Sequence, residues 1–396
     1  MKWVTRYLFK EPEVPVIPGS LFIAQLHTRL DDRSAVTNTS TPSLFRTVGL
    51  ITALCCGGLS VPVYAAFQDP LDVPARLVEN LDKRPIQAVV KAGSRLIAVG
   101  TRGLVIASDD QGDTWQQSPS PVQSDLVAVN FPTDTQGWVV GHDGVVLHSA
   151  DAGKSWEKQL DGRKAKESFT RYYSESSAQN PKALALVGRN YAAGSSLPLL
   201  DVWFKDANRG YAVGSFGIIM ATLDGGRTWE PWFDHIDNEE SLNLNALHEF
   251  NGDLYIAAER GTVFKLNPLS ERFEKIETGH DGSFFGLVGA GNVLLAYGLS
   301  GAVYRSTDQG ITWVALTTHS NSSITAGIAL GDSHTFVLTN AAGELLLGDG
   351  LGQALSRQRA QKPARYTGVV SLANKRLLVT SLEGMRTEQL QSSAPR

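Results

Sequence analysis

An eight-residue pattern recurs four times in this chain, and it constrains the fold more than any other feature. The pattern is Ser or Thr, any residue, Asp, any residue, Gly, any residue, Thr or Ser, and Trp. Its copies run from Ser108 to Trp115, Ser149 to Trp156, Thr222 to Trp229 and Ser306 to Trp313. Because five positions are shared by four segments, the sequence indicates an internal repeat and therefore a modular fold.

A second repeat consists of tight turns that follow short apolar runs and end in glycine. These turns end at Gly103, Gly144, Gly217, Gly261, Gly301, Gly343 and Gly384. They recur about every 40 residues, with one interval longer by about 30, and this period is typical of four-stranded propeller blades. Short apolar runs between glycine-rich turns favour antiparallel strands. The sequence predicts an all-β fold, a seven-bladed β-propeller over residues 86–390.

The long interval between the second and third turns contains a predicted helical hairpin over residues 163–194. Asn180 followed by Pro181 suits a helix N-cap and first helical residue, and Gly194 suits a helix end. An insertion in a propeller has to pack on the outside of the ring or over one of its faces. We therefore expect this insertion between blades 2 and 3 to offer a partner-binding surface.

The ends of the chain are assigned separately. Residues 1–43 mix proline, charges and short apolar pieces, so we interpret them as a disordered leader or a mis-assigned start. Residues 44–65 read as a signal peptide cleaved after Ala65, with a retained anchor as the alternative. Residues 66–85 are predicted to close the last blade, with Asp69 to Val78 as its fourth strand, and residues 391–396 form a tail. This leader predicts export across the inner membrane to the periplasm or a lumen-like compartment.

Composition and charge exclude some partners. The formal net charge is −4 and the isoelectric point about 6.1, so attraction to nucleic acid is not expected. His142 lies next to Asp143 without a third ligand close by in sequence, so we predict no required metal, and no cofactor. We expect a monomer.

The repeated acidic motif, an Asp-box, is predicted to be structural. A short Asp side chain accepts hydrogen bonds from nearby backbone N–H groups, Gly permits the turn, and Trp packs against the strands. The assigned structural residues are Ser108, Asp110, Gly112, Trp115, Ser149, Asp151, Gly153, Trp156, Thr222, Asp224, Gly226, Trp229, Ser306, Asp308, Gly310 and Trp313. In blade 4 the Asp is missing, but Phe273 keeps the aromatic position.

The glycine-ended turns are predicted to lie on the opposite face and differ in their central residues. Loops on a rigid scaffold commonly carry recognition. The candidate partner-binding residues on these turns and on the insertion are Arg102, His142, Asp143, Phe216, Arg260, Tyr172 and Tyr173.

The Asp-box motifs at blade spacing, and above all the run from Leu200 to Trp229, resemble the photosystem II stability/assembly factor family, whose members carry Asp-box (BNR) repeats. The resemblance implies a bacterial secreted homologue without catalytic activity. It further implies an assembly or stability factor that binds membrane-protein partners in the cell envelope, where an exporter is one candidate partner.

Two alternatives are weighed against this interpretation. Asp-boxes also occur in sialidases, a class of propeller enzymes whose site is built from three arginines on the inner strands. The seven inner strands predicted in this chain contain no arginine. The other alternative is carbohydrate or lipid binding in the central channel, where polar residues such as Asn130, Asp201 and Asn245 are interpreted as a solvated lining.

Overall fold

The computed structural model describes residues 68–175, 180–331, 335–359 and 364–390. Within these residues the strands form seven antiparallel sheets, one for each blade. Blade 1 comprises β1 (Ile86–Ala92), β2 (Arg95–Gly100), β3 (Val105–Ser108) and β4 (Gln116–Gln117); blade 2 comprises β5 (Leu126–Asn130), β6 (Gly137–Gly141), β7 (Val146–Ser149) and β8 (Glu157–Leu160); blade 3 comprises β9 (Leu199–Phe204), β10 (Gly210–Gly214), β11 (Ile219–Thr222) and β12 (Glu230–Pro231).

The remaining blades follow in chain order. Blade 4 comprises β13 (Leu244–Phe250), β14 (Asp253–Ala258), β15 (Thr262–Asn267) and β16 (Arg272–Glu277); blade 5 comprises β17 (Phe284–Ala290), β18 (Val293–Gly298), β19 (Val303–Ser306) and β20 (Val314–Ala315); blade 6 comprises β21 (Ile324–Ala329), β22 (Phe336–Asn340), β23 (Glu344–Gly348) and β24 (Ser356–Arg359); blade 7 comprises β25 (Tyr366–Ser371), β26 (Arg376–Ser381) and β27 (Gly384–Gln389). Two helices, α1 (Gly162–Glu175) and α2 (Pro181–Asn190), lie between β8 and β9.

The first strand of each blade contacts the first strand of the next, and β25 contacts β1, so the sheets close into a ring. The second strands β6, β10, β18 and β22 are buried along their whole length. Each sheet is covered on both faces by its neighbours, which explains why these strands are apolar runs rather than alternating ones. The prediction of a seven-bladed propeller is confirmed.

Polar side chains on the inner strands join neighbouring blades. Asn130 accepts a hydrogen bond from the Phe204 N–H (3.0 Å), and Asp201 accepts one from the Leu247 N–H (2.7 Å). Asn245 continues the series by donating to the carbonyl oxygen of Phe284 (2.7 Å). These residues therefore hold adjacent inner strands in register, a role that the expected solvated lining did not include.

Blade 7 departs from the sequence prediction, because its sheet has three strands within the described residues. The predicted fourth strand, Asp69 to Val78, runs along blade 1 instead. The Ala75 N–H donates to the carbonyl of Ser120 (2.9 Å), and the Gln123 N–H donates to the carbonyl of Pro70 (2.7 Å). The fourth-strand assignment was wrong, since the short strand β4 leaves the outer side of blade 1 open to this segment. The turn Leu81–Lys83 contacts β27.

The inserted helices pack firmly against blade 3, as a hairpin between blades 2 and 3. On α1, Phe169 and Tyr173 are buried, and the Tyr173 hydroxyl donates to Asp234 Oδ1 (2.8 Å). The same hydroxyl accepts from the Phe233 N–H (3.1 Å). Asn180 caps α2 by accepting from the Ala183 N–H (3.1 Å), as its sequence predicted. The hairpin is therefore a rigid addition to the ring.

The predicted leader, residues 1–43, the predicted signal peptide, residues 44–65, and the tail, residues 391–396, lie outside the described residues. In the part of the chain that the structure describes, no helix has the length and apolar character needed to cross a membrane.

Candidate functional site

Each Asp-box closes on itself through the same set of hydrogen bonds. In the copy at 149–156, the Ser149 hydroxyl donates to Asp151 Oδ1 (2.8 Å) and accepts from the Gly153 N–H (2.8 Å). Ser155 donates its N–H and its hydroxyl to the two oxygens of Asp151 (2.9 and 2.6 Å). The indole N–H of Trp156 donates to the Gly153 carbonyl (3.2 Å). Both carboxylate oxygens are therefore engaged inside the turn.

The other three copies repeat this geometry, with one difference. The Trp115 and Trp313 indoles donate to their box glycines (3.1 and 3.0 Å), whereas the Trp229 indole N–H has no partner among the described residues. Hydrogen bonds from Thr114 and Thr312 lower the pKa of Asp110 and of Asp308 to about 2. A carboxylate held this way is saturated by its own turn. No group of three His, Cys, Asp or Glu residues in the described ranges could hold a metal.

The Asp-boxes are bonded to the preceding blade. Ser118 of blade 1 donates to the Gly153 carbonyl in blade 2 (2.6 Å), and Gln159 of blade 2 donates to the Gly225 carbonyl in blade 3 (2.9 Å). Blade 4, which lacks the Asp, keeps Phe273 fully buried, with its ring 5.9 Å from that of Tyr211. This end of the propeller thus consists of fasteners between blades, and we call it the box end.

The turns between the second and third strands form the other end, which we call the turn end. Five of them place a non-glycine residue in the left-handed backbone region, at φ between 53° and 59°. The residues at this crest position are Arg102, Asp143, Phe216, Arg260 and Ser300. A bulky residue such as Phe216 is unusual at positive φ and costs about 1 kcal/mol or more.

The backbone of two crests is hydrogen-bonded to the connection that leads into the following blade. The Arg102 N–H donates to Asp125 Oδ1 (2.7 Å), and the Phe216 N–H donates to Asn243 Oδ1 (2.7 Å). Asn190, at the end of α2, donates to the Phe216 carbonyl (3.2 Å). The Phe216 side chain nevertheless remains 56% exposed. A strained, fixed backbone that presents an exposed ring favours a binding role.

The candidate residues on the turns fall into two groups. Arg102, His142, Phe216 and Arg260 are exposed at the turn end, although Arg260 is ion-paired with Glu240 (2.5 Å). Asp143 accepts a hydrogen bond from Ser124 (2.7 Å), so it is partly engaged. They lie in four blades and share one end of the ring without forming a cluster.

The two tyrosines of the insertion differ in burial. Tyr172 is half-buried on α1, with its ring 5.1 Å from that of Tyr173. Tyr173 is 1% exposed, and burial together with its hydrogen bond to Asp234 raises its pKa. A residue in this position cannot contact a partner, so the assignment of Tyr173 to a binding surface was wrong. Its spacing from Phe169 on the helix could have identified it as a core residue.

The sequence did not predict a groove that lies beside α2. Its cavity of about 770 Å³ is lined by Lys182, Leu186, Arg189, Phe233 and Arg272, among others. The α2 residues have the spacing of one helix face, which a sequence can show. The opposite wall comes from a connection about 50 residues later, which no local signal places there.

The ring, the Asp-boxes and the turn end define a seven-bladed Asp-box β-propeller. The family model described as photosynthesis system II assembly factor YCF48 matches residues 85–165 and 193–375, more than half of the chain, and the chain therefore belongs to this family. The match omits most of the helical insertion.

Individual relatives agree with this assignment. The photosystem II stability/assembly factor HCF136 of Arabidopsis thaliana is 24% identical over 260 residues, 56% of this chain and 64% of the relative, a little under two thirds of its length. The photosystem II assembly lipoprotein Ycf48 of Parasynechococcus marenigrum is 29% identical over 172 residues, 41% of this chain and 51% of the relative. These relatives are photosystem II assembly factors by name, which supports the prediction of a non-enzymatic protein.

Solved structures show the same fold. The structure described as YCF48 bound to D1 peptide has a TM-score of 0.58 and 15% identity, and the match covers 81% of this chain and all of that chain. YCF48 from Cyanidioschyzon merolae has a TM-score of 0.56 and 16% identity, over 80% of this chain and 98% of that one.

Proposed function

We propose that this protein is a non-catalytic assembly factor that is exported and binds protein segments of a membrane complex in the cell envelope. Membership of the assembly-factor family over residues 85–165 and 193–375 carries this proposal. The relatives act in photosystem II assembly by name, and one solved relative holds a D1 peptide. Among the complexes of the envelope, an exporter is one candidate partner.

The difference between the two ends supports the turn end as the binding end. The Asp, Ser and Thr side chains of the Asp-boxes are engaged in hydrogen bonds within the turns, whereas Arg102, His142 and Phe216 are exposed at the turn end. Rigid presentation of a few exposed side chains lowers the entropy lost on binding.

The alternatives have less support. A sialidase-like site needs arginines on the inner strands, and β1, β5, β9, β13, β17, β21 and β25 contain none. A ligand in the central channel would compete with polar groups that already bond between blades, such as Asn130 and Asn245.

The test is affinity purification of the tagged full chain from detergent-solubilised envelope membranes, followed by mass spectrometry. Arg102→Glu combined with Phe216→Gly alters the turn end, and Asp113→Arg changes an exposed charge at the box end as the matched control. We expect an integral membrane protein to co-purify with the wild type and the control, and to be lost with the double variant. Absence of any membrane protein above a tag-only control would overturn the proposal. Equal recovery with all three proteins would remove the turn end as the binding end.

A further inference from the structure

Blade 7 ends one strand earlier than the other blades. Six of the described sheets have four strands, and the sheet of blade 7 has three, with β27 (Gly384–Gln389) outermost. The match to the family model ends at residue 375, ahead of β26 and β27. The outer edge of β27 is therefore a feature of this chain that the family match does not cover.

The backbone hydrogen bonds show which groups of β27 point away from its sheet. The Leu390 N–H donates to the Lys375 carbonyl (3.1 Å), on the β26 side. Because alternate residues of an antiparallel strand bond to the same neighbour, Met385, Thr387 and Gln389 direct their N–H and carbonyl groups outward. The outward groups of Met385 and Thr387 bond to no residue in the described ranges. The edge thus offers donors and acceptors at alternate residues.

The length of β27 and its open edge distinguish it from the other outermost strands. Strands β4, β12 and β20 have two residues, β8 and β24 have four, and β16 and β27 have six. The edge of β16 is covered, because the Phe273 N–H donates to the His235 carbonyl (2.8 Å) and its carbonyl accepts from the Asp237 N–H (3.0 Å). On β27 the Gln389 carbonyl accepts from Gln358 Nε2 (3.0 Å), at one end. A long open edge is a template for pairing with another chain.

The neighbouring blades make this edge a recess. Blade 6 ends in a fourth strand, β24, and blade 1 ends in β4, where Gln117 accepts from the Val78 N–H (3.0 Å). Blade 7 stops one strand short of both, a distance of about 4.8 Å. The turn Leu81–Lys83 contacts β27 at its Gly384 end. The recess has room for one extended chain, whereas a second propeller would bring whole four-stranded blades to it.

The two faces of β27 differ in polarity. Met385 packs on the same apolar cluster of blade 1 as Trp115. On the other face, Glu388 accepts from the Tyr366 hydroxyl (3.0 Å) and pairs with Arg386 (3.4 Å), so these two charges offset each other. Side chains of an added strand would alternate between the same two faces. The residue opposite Met385 would therefore be apolar, and the residues beside it polar.

The N-terminus of this chain does not supply the added strand. Cleavage at the predicted site after Ala65 leaves residues 66 and 67 ahead of the described chain. Asp69, which follows, lies beside the start of α1, where it pairs with Arg163 (3.5 Å), and blade 1 separates it from β27. Residues 391–396 directly follow the strand, and the experiment below separates them from a partner.

We infer that the edge of β27 accepts an extended segment of the partner protein as the fourth strand of blade 7, with an apolar residue opposite Met385. The segment runs antiparallel to β27, as the fourth strand does to the third in the other six blades. In such strand addition the backbone provides affinity and the alternate side chains provide specificity. This inference rests on the proposed function, because it names a second contact of the same partner, on the rim beside the turn end.

Fluorescence anisotropy with labelled peptides tests it on the full chain. The peptide Lys-Thr-Gln-Val-Gln-Leu-Lys places its Leu opposite Met385 and directs the N–H groups of Thr, Val and Leu to the edge. One control peptide is N-methylated at Thr, Val and Leu, and the other is N-methylated at the two Gln residues. We expect the first control to bind at least about tenfold more weakly than the parent peptide, since it lacks the donors that face β27. Equal binding of the two methylated peptides would overturn the inference.

The matched protein variants are Thr387→Pro and Thr387→Ala. Proline removes the outward N–H and is tolerated on a strand edge, whereas alanine keeps the N–H. Peptide binding should weaken about tenfold with Thr387→Pro and less than twofold with Thr387→Ala, with both variants folded by thermal melting. In the wild type, the peptide should also slow hydrogen exchange of the Met385 and Thr387 amides. Unchanged exchange at these amides would contradict strand addition, whether or not the proline variant folds.

Removal of residues 391–396 identifies the occupant. We expect unchanged peptide affinity, and a gain of about tenfold or more would show that the tail fills the edge, against the inference. Co-purification of a membrane protein with the wild type and with Thr387→Pro, without peptide binding, would leave the proposed function standing without this edge. Peptide binding without any co-purifying membrane protein would support the edge and count against the proposed function.

Discussion

Both ends of the propeller are built from tight turns that are repeated around the ring. The side chains of the two sets of turns have different roles. At the box end the same residues recur, and each carboxylate is saturated by its own turn, as Asp151 shows. At the turn end the backbone repeats while the crest residue changes from Arg102 to Phe216 to Ser300. Repetition of side chains marks the positions that hold the fold, and variation on a fixed backbone marks the positions available for recognition.

The largest expected effect breaks the box end. Trp156→Ala removes a ring that is 8% exposed and lies edge-on to Phe131, with centroids 5.9 Å apart. We expect a loss of about 3 to 5 kcal/mol in unfolding free energy, measured by urea denaturation. Trp156→Phe is the control and should lose less, because it keeps most of the apolar area. A loss below about 1 kcal/mol, roughly a fivefold change in the folding equilibrium, for the alanine variant would contradict a fastening role.

The next-largest effect concerns the inner strands that line the central channel, between the two ends of the propeller. Burial raises the pKa of Asp201 to about 7 despite its two backbone hydrogen bonds. The carboxyl's pKa is higher in the folded chain than in the unfolded chain, so its contribution is present below about pH 4 and is lost as pH rises through 7. This contribution amounts to as much as about 4 kcal/mol.

Asp201→Asn should remove that pH dependence, measured as unfolding free energy between pH 4 and 8. The variant also loses one acceptor for a backbone N–H, so its absolute stability falls at low pH. Burial lowers the pKa of His248 to about 4, and this opposing contribution cancels when the two proteins are compared. An unchanged pH slope would show that the Asp201 carboxyl titrates normally.

A smaller effect tests the box carboxylate. Asp151→Ala leaves the Ser155 N–H and hydroxyl without their acceptor, and we expect a loss of about 1 to 3 kcal/mol. Asp151→Asn keeps one acceptor oxygen and should lose less. Thermal melting and urea denaturation measure both variants, and equal losses would show that one acceptor oxygen alone does not hold the turn.

The smallest effect on stability belongs to the turn end. Phe216→Gly removes an exposed ring and relieves left-handed strain, so we expect a change of at most about 1 kcal/mol, in the stabilising direction. Binding to the membrane partner should weaken at the same time. A marked loss of stability, seen in the same melting experiment, would place Phe216 with the fold and not with recognition.

Much of the ring was predictable from the chain because its signals are local. The Asp-box needs residues within eight positions of one another, and the glycine-ended turns recur with the blade period, so both are legible in sequence. The capping of α2 by Asn180 is also a local interaction. The segment from Asp69 to Val78 was misassigned because its partners lie far away, in blade 1. Tyr173 was misassigned although its spacing from Phe169 is a local signal of burial.

The sequence by itself determined the number of blades, the place of the insertion and the residues that fasten the turns, since a repeat displays its own period. The tertiary structure alone decided which strand the N-terminal segment accompanies, which tyrosine is buried, and that Lys182 and Arg189 face a wall held by Arg272. The physical reason is that a groove between two elements exists only once packing brings together segments that share no sequence pattern.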